Sequence, residues 1–195
     1  MTIDDRQVCR YLKLCGRAPG EALEERIKAM REAALVAIRP ARTWRRVEEL
    51  SFVGASGSAS LSKHLCGCHA AYLVCGTIGA AFDALQRRVA AKSASDAFIL
   101  QAIGAAAIEA WMDSVEDEMR GELKAGERLV QRYSPGYGDY PLSEQRTLLA
   151  LLDAPRRVGV SLTDTLLMVP SKSVSAVVGV RRAEQEGPTG KVPMK

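Results

Sequence analysis

The sequence predicts an α+β fold with a mainly antiparallel sheet. Segments rich in β-branched and aromatic residues occur in clusters between helical segments. They lack the regular alternation of strand and helix that is typical of a parallel sheet. The composition, with 47% hydrophobic and 26% charged residues, is that of an ordinary globular chain and argues against disorder, collagen and coiled coil.

Hydrophobic periodicity and end signals predict the helices. Apolar residues at helical spacing, followed by Pro40, predict a helix over residues 21–38. A longer helix begins at a cap on Ser95 or Asp96 and extends to about Leu123. Shorter helices are predicted over residues 4–13, 78–89 and 144–152.

The strands are predicted from short β-branched or apolar runs between turn signals. They cover residues 43–53, 68–75, 128–133, 166–169 and 174–180. Residues 54–60 (GASGSAS) are expected to form a small-residue loop, and residues 134–142 (SPGYGDYPL) a glycine- and proline-rich loop.

Length and charge bound the organisation of the chain. The 195 residues fit one domain, which we expect over residues 1–180. Residues 181–195 have almost no apolar content and are expected to form a flexible C-terminal tail. The net charge of +4 is too small to indicate a nucleic-acid partner by itself.

The cysteines and the N-terminus bear on the compartment. Five cysteines form an odd set without the density of a disulfide scaffold. The first ten residues contain Asp4 and Asp5 and no apolar run, so we expect no secretory signal. Residues 97–112 are weakly polar but too short for a membrane span. We therefore expect a soluble cytoplasmic protein with no membrane partner.

The loop over residues 132–140 is the most informative segment. Gly136 and Gly138 permit positive φ and let the backbone approach a ligand. Arg132 could pair with a carboxylate, and neighbouring tyrosines could face a flat heterocycle. A tight turn held by aromatic side chains explains the same residues equally well.

Glu109 is the only charged residue between positions 97 and 112. An ionised carboxylate in apolar surroundings is costly unless it is paired. Glu109 therefore either lies at the edge of the buried stripe and reaches water, or accepts hydrogen bonds from a specific partner.

Two other constellations have ordinary explanations. His64, Cys66, Cys68 and His69 are zinc-ligand types, but four ligands on six consecutive residues could hardly close a tetrahedron. We therefore predict that these cysteines are core or surface residues and that they form no metal site. The arginines over residues 39–46 could contact phosphates, but the glutamates that follow favour a solvated strand with ion pairs and no nucleic acid.

An ordered set of motifs resembles the activation (reactivation) domain of cobalamin-dependent methionine synthase, and its free-standing single-domain members most closely. The motifs are RYSPGYGD (132–139), PLSEQ (141–145), GVSLT (159–163) and MVPSKSVS (168–175). The segment Gly76-Thr77-Ile78-Gly79 resembles a further family element. The strongest similarity covers residues 109–180.

The resemblance implies a twisted antiparallel sheet flanked by helices that binds S-adenosylmethionine. It implies a reactivation subunit that supports reductive remethylation of cobalamin on a separate corrinoid-binding methionine synthase or related protein. A flavodoxin-like protein would donate the electron. No corrinoid-binding Asp-x-His-x-x-Gly segment occurs in the chain, so cobalamin would arrive only on a partner.

The resemblance also implies roles for five residues. Arg132 matches the family arginine that binds the methionine carboxylate, and the backbone of Ser134 meets the ligand. Gly136 and Tyr137 occupy the Gly-Tyr pair, where Tyr137 faces the ligand or the corrin edge. Glu109 matches the helix glutamate, whose partner is the ammonium group or the ribose hydroxyls of the ligand.

The chain departs from the longer family members in ways that leave an alternative open. Their N-terminal aspartate and C-terminal tyrosine contacts have no match in this sequence. Lys172 stands where the synthase domain has a small residue. The alternative is a non-catalytic docking module for a corrinoid protein that has lost S-adenosylmethionine binding.

Overall fold

The structure is a computed structural model, which describes residues 2–14 and 19–182. Within these residues the helices are α1 (Asp5–Tyr11), α2 (Glu21–Ala37), α3 (Ser51–Ala55), α4 (Ala59–His64), α5 (Ala80–Ala90), α6 (Ala94–Gly121), α7 (Glu144–Leu151) and α8 (Ala154–Val158). The strands are β1 (Ala41–Val47), β2 (Cys68–Thr77), β3 (Glu127–Leu129), β4 (Ser161–Leu162), β5 (Met168–Val169) and β6 (Ser173–Arg182).

Four strands form an antiparallel sheet in the order β1-β2-β6-β3. The long strands β2 and β6 lie at its centre, with Leu73 opposite Val177. β4 and β5 form a separate antiparallel pair. The predicted α+β class with a mainly antiparallel sheet flanked by helices is thus confirmed.

Each face of the sheet carries its own hydrophobic core, because side chains alternate along a strand. Tyr72 and Val74 of β2 pack with α1, α2, α5 and α6 on one face. Leu73 and Cys75 pack with α4, α7 and α8 on the other face. Burial raises the pKa of the Cys75 thiol to about 12, so this cysteine stays protonated at neutral pH.

Helix α6 is the longest described element and crosses the core that contains Tyr72 and Val74. Its N-cap is Ser93, whose side chain accepts a hydrogen bond from the Asp96 amide. By length and composition α6 could cross a membrane, but more than half of its apolar stretch is buried within the protein. It packs against α1, α2 and α5, as the core helix of a folded domain does.

The prediction of a strand over residues 43–53 is wrong beyond Val47, where the chain turns into α3. The expected loop over residues 54–60 contains the end of α3 and the start of α4. Val53 is buried in the core that contains Leu73 and Cys75, and this burial outweighs the β propensity of its side chain.

The predicted strand over residues 128–133 is shorter than expected. β3 ends at Leu129, and Tyr133 forms an isolated bridge to Val177 of β6. At the C-terminus, β6 continues through Arg182, which pairs with Glu127. The remainder of the predicted tail, residues 183–195, lies outside the described residues.

Candidate functional site

One face of α6 carries three carboxylates that surround a single guanidinium. Glu109, Asp113 and Glu116 follow the i, i+4, i+7 spacing that aligns side chains along a helix. Arg132 lies between β3 and the Tyr133 bridge, which brings it over this face. Its Nη2 donates to Glu109 over 2.5 Å, and its Nη1 donates to Asp113 over 2.9 Å and to Glu116 over 2.5 Å.

The four charged side chains of this cluster differ in how far they are exposed to solvent. The side chains of Glu116 and Arg132 are 10% and 17% exposed, whereas that of Asp113 is 61% exposed. Burial lowers the pKa of Arg132, but its hydrogen bonds to the three carboxylates outweigh that effect and raise the pKa overall. Arg132 is therefore a permanent cation whose position is set by the cluster.

The cluster lines a cavity of about 270 Å³. Ser134, Tyr137, Gln131 and Val174 complete the wall. With three carboxylates and one guanidinium, the lining has a net negative charge. The arrangement suits a polar ligand that brings both a carboxylate for Arg132 and a positive group for the acidic residues.

The structure brings together four of the five residues predicted for the site. Glu109, Arg132, Ser134 and Tyr137 all line this cavity, and Tyr137 remains 58% exposed at its mouth. Gly136 is not among the lining residues. Its φ of +94° forms the turn, and its amide donates to the carbonyl of Tyr140 over 2.8 Å.

The tyrosines of the loop form an aromatic cluster. The Tyr133 ring stacks on Tyr140 at 6.3 Å between centroids and meets Tyr137 edge-on at 5.8 Å. Gly138 has no room for a side chain, since a Cβ would lie 2.8 Å from the Tyr133 hydroxyl. The turn held by aromatic side chains is therefore present, and one of its tyrosines, Tyr137, also lines the cavity.

Asp139 anchors the loop to the start of α4. Its carboxylate accepts hydrogen bonds from the hydroxyl of Ser58 and from the amides of Ala59 and Ser60. The bond from Ser58 is the largest of the contributions that hold the pKa of Asp139 well below its usual range. Sequence analysis missed this role because the partners lie about 80 residues away.

Sequence analysis also missed Asp113 and Glu116. Their helical spacing from Glu109 was visible, but the exposed charges of an amphipathic helix follow the same spacing. Only the position of Arg132 distinguishes this face of α6 from the solvent-exposed face of an ordinary amphipathic helix.

The other sequence candidates lie elsewhere. His64 bonds the carbonyl of Gln131, and His69 bonds Glu127. No metal-binding group of three or more histidine, cysteine or acidic side chains occurs among the described residues. In the arginine-rich strand, Arg42 pairs with Glu118 and Arg46 with Glu127, which are ion pairs of the kind predicted for that strand.

Fold and site together describe an α+β domain with a small acidic cavity beside its sheet. Residues 78–192 match the family described as "Vitamin B12 dependent methionine synthase, activation domain". This match covers more than half of the chain, and the protein belongs to that family. The predicted family resemblance is thereby confirmed.

No curated protein matches the chain. Among solved structures, the chain is similar to the crystal structure of the MetH reactivation domain bound to AdoHcy, with a TM-score of 0.48 and 20% sequence identity. The similarity covers 60% of this chain and 41% of that chain, so it spans less than half of that protein.

Proposed function

We propose that this protein binds S-adenosylmethionine and supports the reductive remethylation of cobalamin on a separate corrinoid-binding methionine synthase or related protein. It would act as a free-standing subunit in the cytoplasm, with a flavodoxin-like electron donor. Family membership supports the reactivation role. The observation that carries ligand binding is the direct contact of Arg132 and Glu109 in one cavity with Ser134 and Tyr137.

The charges of the cavity fit this ligand. S-adenosylmethionine carries a sulfonium, an ammonium and a carboxylate. Three carboxylates and Arg132 offer counter-charges to all of them. The cavity of about 270 Å³ lies just below the usual size of drug-sized ligand pockets, which matches it to the amino-acid end of the ligand.

In the described structure Arg132 already has three anionic partners, so ligand binding requires an exchange. The ligand carboxylate would take the Nη2 group that Glu109 now occupies. Glu109 would then accept a hydrogen bond from the ligand ammonium or ribose. Glu116, the most buried carboxylate, would hold Arg132 in position throughout. The ligand would supply the methyl group, and these residues would bind and orient it.

A nearby apolar groove supports docking of a corrinoid-binding partner. Leu142, Leu166 and Met168 help to line a groove of about 460 Å³. Leu167 and Val169, 65% and 46% exposed, lie in the same groove. The groove adjoins the loop over residues 132–140, since a Cβ at Gly136 would lie 3.4 Å from Leu142. Exposed apolar surface of this kind is typical of interaction sites.

The alternative function is a docking module without a nucleotide ligand. The same groove favours it, together with the saturation of Arg132 by carboxylates of the protein itself. The two functions differ in whether S-adenosylmethionine binds.

Isothermal titration and thermal melting with S-adenosylmethionine distinguish them. Ligand at about 100 times its Kd should raise the melting midpoint of the natural chain by about 5–10 °C. Arg132→Ala should weaken binding about tenfold or more, because a charged hydrogen bond is lost. Arg128→Ala is the matched control, since Arg128 is exposed and does not line the cavity. No binding at millimolar ligand would favour the docking module.

A further inference from the structure

Lys172 is a buried lysine outside the site described above. It lies in the turn between β5 and β6 and is only 8% exposed. Its ammonium makes no hydrogen bond or salt bridge with residues 2–14 and 19–182. Asp83 acts on it electrostatically without forming a salt bridge. The stem of Lys172 is therefore buried, while its ammonium group reaches the cavity that it lines and is open to an anionic ligand.

The turn around Lys172 is held in place from several sides. The Lys172 carbonyl accepts hydrogen bonds from the Ile78 amide over 3.1 Å and from the Thr77 hydroxyl over 3.2 Å. The amide and hydroxyl of Ser171 both donate to Asp83 over 2.8 Å. The backbone from which the Lys172 side chain extends is therefore fixed before any ligand binds.

Helix α6 provides space for the lysine stem at Gly104. A Cβ at this position would lie 2.9 Å from Cε of Lys172 and 2.5 Å from the ring of Phe82. Any larger residue would displace one of them. The glycine therefore lets a long cationic side chain run between α5 and α6.

The Lys172 side chain lines a cavity of about 480 Å³, within the usual range for small-molecule sites. Arg87, Gln86 and Gln101 also line it. Asp83 is the one carboxylate among the described residues that line it, and both of its oxygens already accept hydrogen bonds from Ser171. The cavity therefore offers two cations to an incoming anion.

This cavity is separate from the one at Arg132. The two share no lining residue. Gln101 and Glu109 are eight residues apart on α6, about 12 Å along the helix axis. The two cavities are therefore distinct candidate sites on the same helix.

We propose that this second cavity binds an oxyanion, the phosphate or carboxylate group of a small polar molecule, through Lys172 and Arg87. The Gln86 amide donates to Gln101, which leaves the Gln101 amide group as a further donor. Burial lowers the pKa of Lys172 and Asp83 raises it, so a bound anion would favour the charged amine further.

Amide NMR titration of the full chain tests the proposal. Inorganic phosphate and acetate are added in separate series at constant ionic strength, with chloride as the reference salt. We expect saturable shifts of the Gly104 and Ser171 amides, and the tighter of the two anions identifies phosphate or carboxylate chemistry. Shifts that fail to saturate, or that chloride reproduces, would overturn the proposal.

Variants test the role of the two cations. Lys172→Met should weaken anion binding about tenfold or more, because it removes a charged donor of similar length. Arg87→Met should also weaken binding, and its exposed position keeps the fold unaffected. Lys63→Met, at an exposed lysine far along the chain, is the matched control and should bind as the natural chain does. Anion binding by Lys172→Met and Arg87→Met that equals the binding by the natural chain would contradict the proposal.

Thermal melting separates a ligand site from a structural lysine. In buffer without phosphate, Lys172→Met should keep or raise the melting midpoint, since methionine retains an apolar stem in the space beside Gly104. The rise in midpoint that phosphate causes in the natural chain should disappear in this variant. A lower midpoint with an undiminished response to phosphate would assign Lys172 a structural role and overturn the proposal.

Discussion

Arg132 and Glu116 form the most buried ion pair of the cluster on α6, with Nη1 of the arginine 2.5 Å from the glutamate oxygen. Glu116 also lies 3.4 Å from Arg120, one helical turn further along. The pair joins the loop after β3 to the central helix. We therefore expect the position of Arg132 at the cavity to depend on its ion pair with Glu116.

Replacing Glu116 tests this anchoring role. Glu116→Gln should lower the free energy of unfolding by about 1–3 kcal/mol, because Arg132 remains buried with weaker partners. Denaturant unfolding measures the change. Glu118→Gln is the matched control, since Glu118 pairs with Arg42 at the surface and should cost less than about 1 kcal/mol. Equal losses in the two variants would contradict the anchoring role.

Glu109 should determine how well the cavity distinguishes a sulfonium ligand from its neutral thioether. S-adenosylmethionine carries one more positive charge than S-adenosylhomocysteine, and the acidic lining favours that charge. We expect Glu109→Gln to reduce the preference for S-adenosylmethionine by about three- to tenfold, as measured by titration calorimetry with both ligands. Asp113→Asn should change the preference less, since Asp113 is more exposed. Unchanged affinity of Glu109→Gln for both ligands would remove Glu109 from the proposed ligand site.

Gly104 should tolerate no side chain. Gly104→Ala should lower the free energy of unfolding by about 1–3 kcal/mol, because its Cβ would overlap the Phe82 ring. Gly54→Ala provides the comparison, since a Cβ at this helical glycine has nothing within 4 Å. That variant should be neutral or gain up to about 1 kcal/mol. Unfolding curves of both proteins check the contrast, and a stable Gly104→Ala would contradict it.

Asp139 should make the loop over residues 132–140 sensitive to acid. Its pKa in the folded chain is lowered, so the stabilisation is present above the unfolded pKa, about 3.9, and is lost as the pH falls further. Asp139→Asn should lower the melting midpoint at neutral pH. Below about pH 4 the melting midpoints of the variant and the natural chain should approach each other. Melting midpoints across this pH range measure the effect. A difference that stays constant with pH would show that the carboxylate charge does not stabilise the loop.

Sequence patterns predicted much of the fold because helices and buried strands have a characteristic local periodicity of apolar residues. Helix α2 begins at the predicted residue and ends within one residue of the prediction, and α6 lies close to its predicted limits. The residues after Val47 were mispredicted because their helical conformation depends on burial against distant elements, which no local window contains.

The candidate site likewise has features that the sequence predicts and features that only the tertiary structure shows. The sequence by itself determined the family, the glycines of the 132–140 loop and the isolated carboxylate at Glu109, since all of these are visible in residue type and spacing. Only the tertiary structure decided that Asp113 and Glu116 join Glu109 around Arg132, and that Asp139 holds the loop to α4. These contacts join residues 16 to 80 positions apart. They form because the antiparallel pairing of the sheet fixes where each loop meets each helix, and a linear pattern carries no such information.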